Sequence, residues 1–364
     1  MTKRICSFLA AVALLLCAAM PAMAEGKLRV AFALLGTIDD RGWNTAHYKG
    51  IQQLKEALGD KIEIAYTENV GPQNAERVLR NYAQQGYDLI FGTSFPHMDA
   101  IERVAKDFPD IKFEHCSGYK MGPNLSNYFA RMYQAEYLAG YTAGLMGFTR
   151  VGTVGTHPIP EPIRGINSFT LGLIRGLEEA GIAYDKSTLN TVVWMKSWAD
   201  PIKETTLAET LADRDHDLIR QMADTPESSL AACARDLPAV GYGSPAEEYG
   251  ADCVLTSTVF NWGNYYVQTV QSALDGTWQA RSYWRGFDDD AIRLTAFGSH
   301  VPADVRAKVE ALRDELAKGN DRIFAGPVKD QSGKVIIAEG QQASDADLLG
   351  MMVFVDGVSG NLPQ

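Results

Sequence analysis

Short apolar runs alternate with helix-patterned segments along nearly the whole chain, and that alternation leaves few folds open. The first unit is the most informative. Val30–Leu35 is apolar at consecutive positions, too short for a helix, and bounded by charge and Gly36, as expected of a parallel strand buried on both faces. A polar loop, Gly36-Thr37-Ile38-Asp39-Asp40-Arg41-Gly42, leads through Trp43-Asn44 into a helix expected over His47–Leu58. Further strands are expected at Ile62–Tyr66, Asp88–Thr93 and Lys112–Cys116, with helices at Asn74–Gln85 and Met98–Phe108 between them. Connections of a few residues between such elements describe an α/β protein with a doubly wound parallel sheet.

The series then restarts. Asn127–Ala130 supplies a further strand before a helix at Tyr133–Met146, whose small residues Ala135, Ala139, Gly140, Ala143 and Gly144 permit close packing. Strands at Arg150–Gly155, Thr191–Met195, Asp217–Met222, Ala239–Tyr242 and Val254–Val259 alternate with helices at Ile163–Ala180, Ile202–Arg214 and Ser228–Arg235. Helices at Trp262–Leu274 and Ala303–Lys318 follow. A chain of 364 residues can bury a core in each of two lobes. Residues 25–148 plus roughly 262–290 are expected to form lobe one, and 149–261 plus roughly 291–364 lobe two. No loose linker separates them, so the hinge should consist of several crossing segments.

Met1-Thr2-Lys3-Arg4, the apolar segment Phe8–Met20 and Ala22-Met23-Ala24 have the layout of a secretory leader cut after Ala24, which would place the mature protein in the periplasm. Leu16 stands before Cys17 where a lipid-attachment signal needs a small residue, so a soluble exported protein is expected. The net charge of −11 argues against nucleic acid or an anionic membrane surface as partner. Of the later cysteines, Cys116, Cys233 and Cys253, the last two could pair, but small buried side chains are the favoured reading.

No catalytic, metal or cofactor motif emerges. The histidines at 47, 97, 115, 157, 216 and 300 lack zinc-site spacing; there is no Cys-x-x-Cys, nucleophile elbow or phosphate-binding loop. Gly152-Thr153-Val154-Gly155 is not a dinucleotide fingerprint, Asp288-Asp289-Asp290 reads as a solvated turn, and His115 reads as a core histidine. What recurs instead is aromatic, amide and carboxylate residues just past strand ends: Trp43-Asn44, Ser94-Phe95, Trp198 with Asp200, Asp224-Thr225, Tyr242 with Ser244, and Asn261-Trp262. In open α/β sheets such positions face one cleft. Aromatic rings there can sandwich a planar ligand while amides and carboxylates read its edge; a stacked sugar is the competing reading. For Trp43 and Asp40 the plainer alternative, packing under the loop and capping the helix, weighs about evenly.

Asp40-Arg41-Gly42-Trp43, Phe91-Gly92-Thr93-Ser94-Phe95 and Phe113-Glu114-His115-Cys116-Ser117-Gly118-Tyr119-Lys120 carry a resemblance. So do Ile159-Pro160-Glu161 with Arg164-Gly165-Ile166-Asn167, Trp194 with Ser197-Trp198 and Asp200-Pro201, and Asn261-Trp262-Gly263 with Tyr265-Tyr266. In their order and spacing the chain resembles the basic membrane protein family of purine and nucleoside receptors for ABC importers, and within it an exported, non-lipidated, purine-binding subgroup. The resemblance implies a type I periplasmic-binding-protein fold, two Rossmann-like lobes with a ligand cleft between them, and binding without catalysis. It also implies a membrane permease as partner and a monomeric receptor. Carried over by position, Trp43 would stack on the purine, Asn44 and Asp40 would lie beside it, Trp198 and Asp224 would contribute from lobe two, and Phe95 and Trp262 would serve as walls. Nucleoside-binding relatives hold ribose with charged residues where this chain has Gly241-Tyr242-Gly243-Ser244 and Phe260. Tyr242 and Phe260 would fill that volume, so a free nucleobase, adenine or a similar purine, is expected. The alternatives are a nucleoside, heterocycle or sugar receptor used for sensing, and an exported enzyme with Asp40 or Asp224 as acid or base.

Overall fold

The computed structural model describes residues 26–362. The expected leader, its cleavage point after Ala24 and Cys17 lie outside the described residues. In chain order the first half runs β1 (Leu28–Ala33), α1 (Trp43–Leu58), β2 (Ile62–Thr67), α2 (Pro72–Gln84), β3 (Leu89–Gly92), α3 (Met98–Asp107), β4 (Lys112–Cys116), β5 (Leu125–Ala130) and α4 (Tyr133–Leu145). The second runs β6 (Val151–Gly155), α5 (Pro160–Ala180), β7 (Asn190–Trp194), α6 (Pro201–Ala212), β8 (Leu218–Met222), α7 (Glu227–Cys233), β9 (Ala239–Gly243) and β10 (Val254–Phe260). Then come α8 (Trp262–Leu274), β11 (Ser282–Arg285), β12 (Ile292–Leu294), α9 (Ala303–Ala317), the hairpin β13 (Val328–Lys329) and β14 (Val335–Ile337), α10 (Asp345–Leu349) and β15 (Val358–Ser359).

Among the described residues two large sheets result, one per lobe, in the order β11-β5-β4-β3-β1-β2 and β12-β10-β9-β8-β6-β7-β15, beside the two-stranded β13-β14. The first is parallel throughout, including the late strand β11 beside β5; in the second, β12 alone runs antiparallel, beside β10. The expected alternation and two-lobe, type I periplasmic-binding-protein architecture are thus present. Helix α1 begins four residues earlier than the apolar pattern suggests. The Asp40 carboxylate accepts from the backbone N–H groups of Gly42, Asn44 and Thr45, and these otherwise orphaned donors stabilise a helix start at Trp43.

Helix α4 follows β5 of the first sheet yet packs along α5 of the second lobe. The contact is backbone on backbone: a Cβ on Gly140 would stand 2.0 Å from the Phe169 carbonyl oxygen. Glu136 of α4 also receives Arg220 of β8, at 2.6 and 3.0 Å, and the Thr258 hydroxyl of β10 at 2.7 Å. Both charges are fully buried, so removing either partner would strand the other in a low-dielectric interior. On this packing we propose that the lobes divide near Arg131–Met132 rather than at 148.

Cys233 and Cys253 form a disulfide rather than two separate thiols. It ties the end of α7 to the segment before β10, a link that hydrophobic patterning does not reveal. Loop-closure entropy for a separation of 20 residues is about 3 kcal/mol, so a Cys233→Ser, Cys253→Ser double variant should lose up to about that much in denaturant unfolding; an unchanged midpoint would show that the bridge constrains nothing.

Two buried carboxyls fasten neighbouring elements. Glu114 on β4 accepts from Tyr265 and Trp278 at 2.6 and 2.7 Å, and Glu204 on α6 accepts from the Ser228 N–H and hydroxyl at 2.9 and 2.7 Å. Burial pushes each from the usual 4.5 up to about 7 against these hydrogen bonds. Between 4.5 and 7 the folded state therefore holds protons that the unfolded chain has released, and stability falls as pH rises through that window. Glu114→Gln and Glu204→Gln should each shrink the drop in Tm between pH 5 and pH 7.5 relative to the wild type; an undiminished drop would contradict the shifted protonation.

Candidate functional site

The carboxyl ends of the strands in both sheets meet at a cavity of about 420 Å³, within the roughly 300–1,000 Å³ range of small-molecule sites. From lobe one it is lined by Trp43 at the start of α1, Ser94-Phe95 after β3, Ser117-Gly118-Tyr119 and Met121 after β4, Asn127 and Phe129 of β5, and Ser282-Tyr283-Trp284 of β11. Lobe two contributes Thr156 and Ile159 after β6, Glu161 and Arg164 in the first turns of α5, Trp198 after β7, Met222 and Asp224 at the end of β8, and Tyr242 of β9. Leu349, at the end of α10, completes the wall.

Of the nine residues expected at the site, Trp43, Phe95, Trp198, Asp224 and Tyr242 line this cavity, and Asn44, Asp40, Phe260 and Trp262 do not. Asp40 is engaged in capping α1. The Asn44 side chain is enclosed by its neighbours, accepting from the Gly36 N–H at 3.0 Å and donating to Asp40 at 2.7 Å, so it supports the loop rather than facing the cavity. Phe260 and Trp262 form the layer behind. Trp262 is sandwiched between Phe260 and His47, with ring centroids 4.6 and 4.9 Å away, and Trp43 stands edge-on to all three. Burial depresses His47 to about 3, so it is a neutral aromatic spacer. The Trp43 indole N–H donates to the Thr93 carbonyl at 3.1 Å, which fixes the ring plane that borders the cavity.

The polar lining is sparse and incompletely paired. Arg164 is 3 % exposed; its Nη1 donates to the Leu348 carbonyl at 2.8 Å, and among the described residues its remaining guanidinium N–H groups have no hydrogen-bond acceptor. The guanidinium lies over the Trp284 ring, 5.1 Å from its centroid. Glu161 accepts from the Tyr242 hydroxyl at 2.9 Å through one oxygen. Burial pushes Glu161 up to about 7, against the opposing pull of Arg164 and that hydroxyl. Burial, with the carboxylates of Asp40, Glu161 and Glu204, raises Asp224 well above the usual range. The Asn127 amide oxygen accepts from Ser282 at 2.7 Å, leaving its amide N–H groups without an acceptor among the described residues. Tyr283 and Trp284 escaped notice in the sequence because β11 carries no strand signal of its own, and Asn127 and Phe129 because they stand within β5 rather than past its end. Glu161 and Arg164 had a signal: two charges in the opening turns of α5, ahead of the uncharged stretch Gly165–Ile174.

Beside the cavity, the lobes meet along one flank. The Trp43 N–H donates to the Asp224 carbonyl at 3.3 Å, and Ser244 Oγ donates to the Arg41 carbonyl at 2.5 Å. Arg41 pairs with Glu227, and Lys49 with Glu248 at 2.5 Å. A Cβ on Gly42 would stand 1.5 Å from the Asp224 carbonyl oxygen. The approach of the opposite lobe therefore calls for a glycine here.

The arrangement offers stacking surfaces and a few edge contacts. Comparison with known proteins agrees with that character. The family model described as ABC transporter substrate-binding protein PnrA-like matches residues 27–323. A purine-binding protein of Brucella abortus is 38% identical over 94% of this chain and 96% of its own length. A putative ABC transporter glucose-binding protein of Haloferax volcanii is 32% identical over 93% of this chain and 82% of its own. Among solved structures, an ABC transporter solute-binding protein of Conexibacter woesei superposes with a TM-score of 0.64 at 26% identity, covering 81% of this chain and 98% of that one. The chain belongs to the Bmp family of PnrA-like ABC transporter substrate-binding proteins, a family of extracytoplasmic ligand receptors rather than enzymes.

Proposed function

We propose that this protein captures a free purine nucleobase in the interlobe cavity and delivers it, with the lobes closed, to an inner-membrane permease. The observation that carries the reading is the cavity wall itself. Trp43, Phe95 and Phe129 from one lobe and Trp198 and Tyr242 from the other enclose a space whose lining is mainly apolar. The purine-binding relative supports the same ligand class. Tyr242, in the turn where ribose-binding relatives place an acidic residue, commits its hydroxyl proton to Glu161, and Phe260 stacks on Trp262, so neither donates a hydrogen bond to a sugar. Export through the leader to the periplasm, with cleavage after Ala24, and action as a monomer complete the proposal. The putative glucose-binding relative makes a sugar the competing occupant, since sugars also stack on aromatic walls.

Replacing Trp43 with Leu removes the stacking surface together with the edge contacts to His47, Phe260 and Trp262, so the variant should be less stable yet still unfold cooperatively. Purine affinity of the folded variant, stripped of ligand by unfolding and refolding, should fall by about 1–3 kcal/mol in calorimetric titration; undiminished affinity would remove Trp43 from the site. Gly42→Ala leaves each lobe's own packing untouched but blocks the approach to Asp224. It should give a folded receptor with a larger radius of gyration by small-angle scattering in saturating ligand, and weakened binding. A variant that binds and compacts like the wild type would show that closure does not bring these backbones together.

A further inference from the structure

Among the described residues Arg164 is the one cavity-lining cation. It is buried, held in place through Nη1 by the Leu348 carbonyl, and presents N–H groups with no acceptor among the described residues. Asn167, one helical turn further along α5, clamps the same C-terminal segment by donating to the Val353 carbonyl at 2.8 Å and accepting from the Val355 N–H at 3.0 Å. The guanidinium is thus positioned on a rigid support and stacked over Trp284. A guanidinium donates only, and its planar fork suits two adjacent acceptors.

We propose that Arg164 sets the base specificity of the cavity by grasping the adjacent O6 and N7 acceptors of a 6-oxopurine such as hypoxanthine or guanine; this rests on the purine reading above. In adenine the exocyclic amine stands beside N7, so the same fork would meet a donor, and a buried donor facing a donor is costly. The ring N–H that a 6-oxopurine carries at N1 needs an acceptor, and the carboxyl groups of Asp224 and Glu161 line the same cavity. Asp224 makes no side-chain hydrogen bond among the described residues, and one Glu161 oxygen is left over from Tyr242. On this inference the ligand is a 6-oxopurine in place of the adenine-like base expected from the sequence.

Calorimetric titration of the refolded chain with hypoxanthine, adenine and glucose tests this. Hypoxanthine should bind at least about tenfold more tightly than adenine. Arg164→Gln supplies an amide that can pair with the N6 and N7 edge of adenine, and should reverse the order by weakening hypoxanthine while maintaining or improving adenine binding. Retained adenine binding also reports that the variant is folded. Wild-type adenine affinity equal to or above that of hypoxanthine overturns the proposal and leaves the purine reading standing, as does an Arg164→Gln variant with unaltered preference. Glucose binding with neither purine bound overturns the purine reading and this inference with it.

Discussion

The backbone of Gly42–Trp43 and the carbonyl of Asp224 belong to opposite lobes and come so close that no side-chain atom fits between them. Much of the rest depends on that approach. It draws the end of β8 up to the start of α1, which places Asp224 and Trp43 on one cavity wall, and it is reinforced by Arg41 with Glu227 and Lys49 with Glu248 along the flank. These exposed pairs are individually weak. Their role is to set register between lobes, which suits a cleft that opens and closes around a ligand and would be defeated by a large apolar interface.

Behind the cavity the energetics differ. The stack of Phe260, Trp262 and His47 with Trp43 edge-on is buried, and its one hydrogen-bonded member at the cavity face, Trp43, is pinned through Thr93. Rigid aromatic walls lose little entropy when a planar ligand arrives, so ligand contact is not offset by ordering the site. The polar groups follow a different rule. Arg164 and Asn127 are buried with hydrogen-bonding capacity unfilled among the described residues, Asp224 makes no side-chain hydrogen bond among them, and each unfilled site favours a ligand whose edge completes it.

Much of the fold was legible because strand and helix periods are local. Val30–Leu35 announces a doubly buried strand, and the same signal repeats with the spacing that parallel sheets require. What failed was local competition or distance. The start of α1 was misplaced because capping by Asp40 extends the helix beyond its apolar pattern. The site was half legible: strand-end position identified Trp43, Phe95, Trp198, Asp224 and Tyr242, but it cannot tell a side chain that faces the cleft from one that faces the layer behind, which is where Phe260 and Trp262 stand. Trp284 and Leu349 reach the cavity from late segments whose placement depends on pairing with β5 and on Arg131 and Arg164 holding α10, contacts between residues more than a hundred positions apart.

The central claim is that this cleft encloses a purine base between aromatic walls from both lobes. Trp43, Trp198 and Trp284 border the cavity, so intrinsic tryptophan fluorescence reports its occupation directly. Titrating the ligand-free receptor with a purine base, its ribonucleoside and glucose should give saturable quenching by the base, with the ribonucleoside and glucose far weaker. Saturation by glucose or the ribonucleoside, with the base without effect, would contradict the account.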